Sequence, residues 1–166
     1  MSIEFVHLSL IRNEEIIALN NHPDVLRHMP LAAGVFDETQ CKEWVKEKES
    51  QWEMYGYGPR AFLIDGRFAG WGGLQYEQGY ADLALVLHPA YWGYGLKLFR
   101  KIVSHAFQEM GLESITILLP TTRLHTKIIR RLGFLADGRF EINGVPFFRY
   151  RLPANDYQYK VDCTQE

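Results

Sequence analysis

The run Leu83-Ala84-Leu85-Val86-Leu87 passes almost at once into Tyr91-Trp92-Gly93-Tyr94-Gly95 and then into a periodic helix, and this junction constrains the fold more than any other segment. The apolar run is too short for a helix and apolar on both faces, so it predicts an interior strand. After Gly95, apolar residues recur at Leu96, Phe99, Val103, Ala106, Phe107 and Met110, one face of a helix, with Gly111 placed as its C′ residue. A strand, a glycine loop and a helix start together predict a phosphate site. Gly93 and Gly95 can take positive φ without penalty and let helical N–H groups approach an anion closely. Lys97, Arg100 and Lys101 stand in the first two turns, where the helix dipole disfavours exposed cations by about 0.3–1 kcal/mol each. A bound polyphosphate reverses that sign; without one, the three are a solvated basic face.

Neither of two common phosphate loops fits. No Gly-x-x-x-x-Gly-Lys-Ser/Thr string occurs, and Gly93-x-Gly95 lacks a third glycine because position 98 is Leu98. The segment resembles motif A of the GCN5-related N-acetyltransferases, the GNAT family, written Gln/Arg-x-x-Gly-x-Gly/Ala, with Trp92-Gly93-Tyr94-Gly95-Leu96-Lys97 in its place. The aromatic-Gly-x-Gly version, Tyr91 to Gly95, is most similar to the ribosomal-protein N-terminal acetyltransferase branch. A second signature of that branch has its counterpart in Leu119-Pro120, Thr122-x-x-His125 and Leu132-Gly133-Phe134.

Composition is consistent with one enzyme-sized domain, expected over residues 1–152, with 153–166 as a loose tail. Eighteen Lys+Arg against twenty Asp+Glu give a net charge of −2, which argues against nucleic-acid or anionic-membrane partners. Cys41 and Cys163 stand far apart with no metal-like spacing, so a reducing cytoplasm is the expected setting. No signal peptide or membrane span is read, and no metal site, because the six histidines lack ligand spacing.

Along the chain, Ile3 to Leu10 predicts a strand, Asn13 caps a short helix, and Asp37-x-x-Gln40 opens a helix whose inner face is Cys41, Trp44, Val45, the Lys48 stem and Trp52. Asp65-Gly66, Gln78-Gly79 and Asn143-Gly144 mark tight hairpins. A helix is expected from Thr122 to Leu132, with Leu124, Ile128 and Leu132 inward. The resulting order matches the GNAT order. The fold class is therefore α/β of the α+β kind, with a mixed central sheet of roughly six to seven strands and about four helices.

The resemblance implies an acetyl-CoA co-substrate, with pantetheine on Leu85, Val86 and Leu87 and pyrophosphate at Trp92, Gly93, Tyr94, Gly95, Leu96 and Lys97. It further implies that a neutral primary amine attacks the thioester directly, whether the amine belongs to a protein N-terminus or a small molecule. Val86 or Leu87 N–H would then serve the oxyanion. Arg100 would add charge at the phosphate, and Thr122 replaces the asparagine that holds pantetheine. Asp82 aligns with the glutamate that histone-type members use as base; a structural carboxylate at a strand start is the alternative, and Glu77 is the reserve. Ile129 stands where many members place an acidic tyrosine, which leaves His125, at the branch's serine position, as candidate acid. Ser104 and His105, adjacent on a helix, are expected to face apart. Trp44, Trp52, Tyr55, Tyr57 and Trp71 read as core, with one or two free to wall an acceptor cleft. The chain is expected to be a monomer or homodimer. A GNAT-fold protein that binds acyl-CoA without turnover, or an interaction module, is the alternative function.

Overall fold

Three two-residue turns set the strand order. Asp65-Gly66, Gln78-Gly79 and Asn143-Gly144 each hold both residues at positive φ (49° and 77°, 54° and 85°, 50° and 79°), the tight turn whose twist matches the flanking strands. The computed structural model describes residues 1–157 apart from 30, 31, 33, 35, 124 and 125. Its strands are β1 (Ile3–Val6), β2 (Pro59–Ile64), β3 (Arg67–Glu77), β4 (Tyr80–Leu87), β5 (Ser114–Pro120), β6 (Leu135–Ile142) and β7 (Val145–Pro153). The helices are α1 (Asn13–Asn20), α2 (Pro23–Leu26), α3 (Glu38–Tyr55), α4 (Gly95–Ser104) and α5 (Lys127–Arg131). The seven strands form one mixed sheet in the order β1-β2-β3-β4-β5-β7-β6, in which only β4 and β5 run parallel. The fold is the expected α+β GNAT arrangement, with five helices among the described residues rather than four.

Strand alternation sends β4 side chains to two cores. Leu83 and Leu87 pack with Leu98, Phe99, Ile102 and Val103 of α4. Ala84 and Val86 face the other way, against Trp71, Leu8, Leu19, Val25 and Trp44 beneath α1, α2 and α3. The buried Trp71 indole N–H donates to Asn20 Oδ1 (3.0 Å), which ties α1 to β3. Asp37 caps α3 as its sequence position implies, accepting from Gln40 N–H (2.9 Å).

Several local expectations change. Arg12 rather than Asn13 occupies the N-cap of α1, and no side chain caps that end. Helix α4 is regular only to Ser104, and His105–Glu109 continue as a wider π turn before Gly111, which takes φ 66°. The helix expected from Thr122 is regular only over Lys127–Arg131, and Leu124 and His125 lie outside the described residues. At the expected tail, Ala154 N–H donates to Glu113 O (2.8 Å), and Tyr157 packs on the main core beside Phe107.

Candidate active site

β4 and β5 share a single register pair, Asp82 with Thr116, and beyond it they separate. On its other edge β4 is fully paired with β3, where glycines set the fit. A Cβ on Gly70 would lie 2.1 Å from the Val86 carbonyl oxygen, and one on Gly72 would lie 2.2 Å from that of Ala84. Those carbonyls are turned into β3, and His88 N–H likewise donates to Ala69 O (2.8 Å). A strand residue points its N–H and C=O to the same edge, and neighbouring residues alternate. Leu85 and Leu87 therefore turn their backbone groups into the gap beside β5. The Leu87 carbonyl accepts from the Trp92 indole N–H (2.9 Å), which leaves Leu87 N–H and both polar groups of Leu85 aimed across the opening.

Over the opening lies a cavity of about 360 Å³, lined by Leu85, Val86, Leu87, Trp92 and Gly95 together with Val25, His28 and Met29 around α2 and Arg123 after β5. Five of the sequence-predicted residues thus meet in one cleft. Arg123 joins them without having been singled out, although it follows the Leu119-Pro120 signature closely.

The glycine loop does not use the positive φ open to its glycines. Neither Gly93 nor Gly95 takes positive φ; the loop is a 3-10 turn over Pro89–Tyr94, and Gly95 at φ −55° opens α4. Conformation therefore does not require glycine at either position. A Cβ at Gly93 would meet nothing within 4 Å, and one at Gly95 would make ordinary contacts with Leu85 (3.8 Å) and Leu87 (3.9 Å). The bare backbone at the start of α4 instead leaves room for an anion to reach the first helical N–H groups. Tyr94 packs on the α4 core, Leu96 is exposed, and Thr122 sits in the turn beside Arg123.

Lys97, Arg100 and Lys101 line a groove of about 660 Å³ on another flank of α4, against Met1, Ile3 and Phe5 of the β1 region. Ser104 and His105 both border that groove, but the ring of His105 engages Glu109 (2.8 Å) and no hydrogen bond joins it to Ser104, so the two make no nucleophile pair.

Asp82, only 4% exposed, accepts from the Thr116 hydroxyl (2.9 Å) at the closed end of the splay. Burial pushes its carboxyl up to about 7, opposed by the Thr116 hydrogen bond, with Glu77 raising it and Gln75 and Arg149 lowering it. Glu77 is itself raised by burial, against the pull of Lys48. Lys48 reaches this face from α3, donating to Gln75 Oε1 (3.1 Å) with its ammonium 5.4 Å from the Trp71 ring centre. Desolvation lowers its pKa. Trp71 is core as expected and Trp44 packs half-buried against it, whereas Tyr55 is partly exposed and stacks on Tyr76 at 3.9 Å. No cluster of metal-ligating side chains occurs among the described residues.

The acetyltransferase (GNAT) domain model matches residues 7–135. The chain belongs to the GNAT acetyltransferase family. It is an acyl-CoA-dependent acetyltransferase by that membership. Solved structures carry the same fold. A protein described as a GnaT-family acetyltransferase from Bordetella pertussis is 19% identical, with a TM-score of 0.72, and the match covers 90% of this chain and 95% of that one. A GNAT-family acetyltransferase from Bacillus anthracis is 16% identical, with a TM-score of 0.68 and coverage of 92% and 94%. Spermidine N-acetyltransferase from Vibrio cholerae, solved with CoA and spermine, is 16% identical, with a TM-score of 0.65 and coverage of 94% and 96%.

Proposed function

We propose that this GNAT acetyltransferase transfers the acetyl group of acetyl-CoA to a primary amine across the β4–β5 splay. The observation that carries the reading is the unpaired edge of β4, with Leu85 and Leu87 polar groups facing the gap below the bare glycine backbone of Gly93 and Gly95. Leu85 would pair with pantetheine, and the first turn of α4 with Arg123 would hold the pyrophosphate. Bound there, acetyl-CoA supplies an activated acyl carbon.

Asp82 is the base in this reading. A carboxyl near 7 is far better matched to removing a proton from an alkylammonium than an ordinary aspartate, and the Thr116 hydrogen bond fixes its orientation. The amine nitrogen attacks the thioester carbon, its proton leaves toward Asp82 directly or through a water, and Leu87 N–H faces the developing oxyanion. Val86 N–H, the other candidate, points into β3. When the C–S bond breaks, the thiolate takes up a proton. His125, the candidate donor for that step, lies outside the described residues.

The resemblance of the loop to the ribosomal-protein branch supports a protein N-terminus as one acceptor class, and small-molecule amines are the other. Release of free CoA from acetyl-CoA over a panel of amines tests the proposal. Amine-dependent release supports it; tight CoA binding without release for any amine refutes it in favour of an acyl-CoA sensor.

A further inference from the structure

Past β5, no described helix packs over the sheet face that carries Asp82, and two arginines stand there. Thr116 lies between Asp82 and Arg151 in register, and Leu118 pairs with Arg149. Three strands at ~4.8 Å spacing put the Asp82 and Arg151 backbones roughly 10 Å apart, within the combined reach of two side chains and a small ligand. Tyr80, two residues before Asp82 and on its face, lies under both guanidinium groups, 4.9 Å from that of Arg149 and 4.1 Å from that of Arg151. Phe140 covers Arg149 from β6 at 4.2 Å.

The two arginines share a single directly paired carboxylate, while Glu77, opposite Tyr80, and Asp82 stand further along the same face. Asp137 is the one carboxylate paired with either arginine among the described residues, and it accepts from both through the same oxygen. Arg151 spends Nη1 on the Ser114 hydroxyl (2.9 Å). Arg149 donates only through Nε, to Asp137 Oδ2 (2.8 Å) and to the Asp137 carbonyl (3.2 Å). Its two Nη groups meet no acceptor among the described residues, although the side chain is 13% exposed and held between two rings. No buried side-chain polar atom among the described residues lacks a partner, so these groups open to solvent. A rigid guanidinium with a vacant fork matches a carboxylate in two-point geometry. The charge of Arg149 also reaches Asp82.

We propose that the acceptor amine also carries a carboxylate, as a small amino acid does, and that the vacant fork of Arg149, backed by Arg151, holds it while the amine faces Asp82. The proposal rests on the amine-transfer reading above. It makes polyamines the poorer acceptors, because they lack the carboxylate that the vacant fork would hold.

The test uses full-length protein, acetyl-CoA and acceptor pairs that differ only in the carboxylate: ornithine against putrescine, phenylalanine against phenethylamine, and β-alanine against ethylamine. For at least one pair, kcat/KM should favour the carboxylate-bearing member by about 10- to 100-fold, the range of a charge-assisted hydrogen bond. Arg149→Gln should erase that preference and Arg149→Lys should retain part of it, both with the KM for acetyl-CoA unchanged, which also reports an intact fold. Equal use of both members of every pair, or a preference that survives in Arg149→Gln, overturns the proposal and leaves amine transfer standing. If no amine releases CoA, calorimetry of the same amino acids on the CoA-loaded protein still decides: binding lost in Arg149→Gln upholds the carboxylate site, and binding absent or unchanged overturns it.

Discussion

Replacing Asp82 with asparagine separates the two consequences of burying a carboxyl at the closed end of the splay. With 4% exposure, Asp82 titrates near 7 in the folded protein against 3.8 when unfolded. Its folded pKa is raised, so the protonated form is the one folding prefers. The favourable contribution is complete below the unfolded value and is lost as pH rises through the folded value. A displacement of about three units at 1.36 kcal/mol each gives roughly 4 kcal/mol lost between pH 4 and pH 8. Asparagine has almost the same shape and can still accept from Thr116, but it does not titrate. Denaturant midpoints for both proteins across pH 4 to 9 give the difference curve, in which titrations common to both cancel. Relative to Asp82→Asn, the wild-type protein should lose about 4 kcal/mol across that range, most steeply between pH 4 and 7. A flat difference curve would show that Asp82 keeps an ordinary pKa, and would remove the physical basis for its role as base. In turnover, the same substitution should cost about 10²- to 10⁴-fold and abolish a rising limb near pH 7, with acetyl-CoA affinity preserved.

Gly95→Glu should abolish acetyl-CoA binding in a folded protein, because a carboxylate side chain would stand where the anion approaches the α4 amides; calorimetry checks this, and unchanged affinity sinks the phosphate site. Arg123→Ala should weaken CoA more than pantetheine and more than Lys97→Ala or Arg100→Ala do, since Arg123 lines the cleft while the other two line the groove against β1. Equal effects of the three substitutions would return the phosphate contact to the basic helix. Gly72→Ala should destabilise the protein and weaken CoA together, because its Cβ would meet the Ala84 carbonyl at 2.2 Å and displace β4; a stable variant with normal CoA affinity contradicts the packing argument.

The sheet and the site differ in how legibly the sequence encodes them, and the difference has a physical origin. Turn chemistry is local: Asp-Gly, Gln-Gly and Asn-Gly each specify positive φ at two residues, and all three hairpins follow. The apolar run of β4 and the inward face of α4 are periodic and equally readable. The cleft residues from Leu85 to Gly95 are consecutive enough for a motif to carry them. Lys48 was readable only as an apolar stem on α3, because its ammonium finds Gln75 across the sheet and no sequence spacing encodes that contact. Arg149 and Arg151 alternate with the buried Tyr150 and Leu152 like any surface arginines on an edge hairpin. Their meaning comes from β7 lying beside β5, with Tyr80 beneath them.

The reasons for glycine in this chain also divide into two kinds that sequence alone does not separate. At Gly70 and Gly72 the protein itself needs the missing side chain, since the β4 carbonyls occupy that space. At Gly93 the space is open, and the fold places no demand on it. Glycines of the first kind press one edge of β4 into β3 and so turn the polar groups of Leu85 and Leu87 toward the splay. Those of the second kind leave the adjoining helix start bare. In the proposed function the two sets would act on one ligand from opposite sides, one presenting backbone donors to the acyl arm and the other clearing the approach for its phosphates. Substitution at the first set should therefore cost stability and binding together, whereas substitution at the second should cost binding alone; calorimetry and denaturant midpoints on Gly72→Ala and Gly93→Glu check this, and equal patterns for the two would refute a cofactor at this end of the sheet.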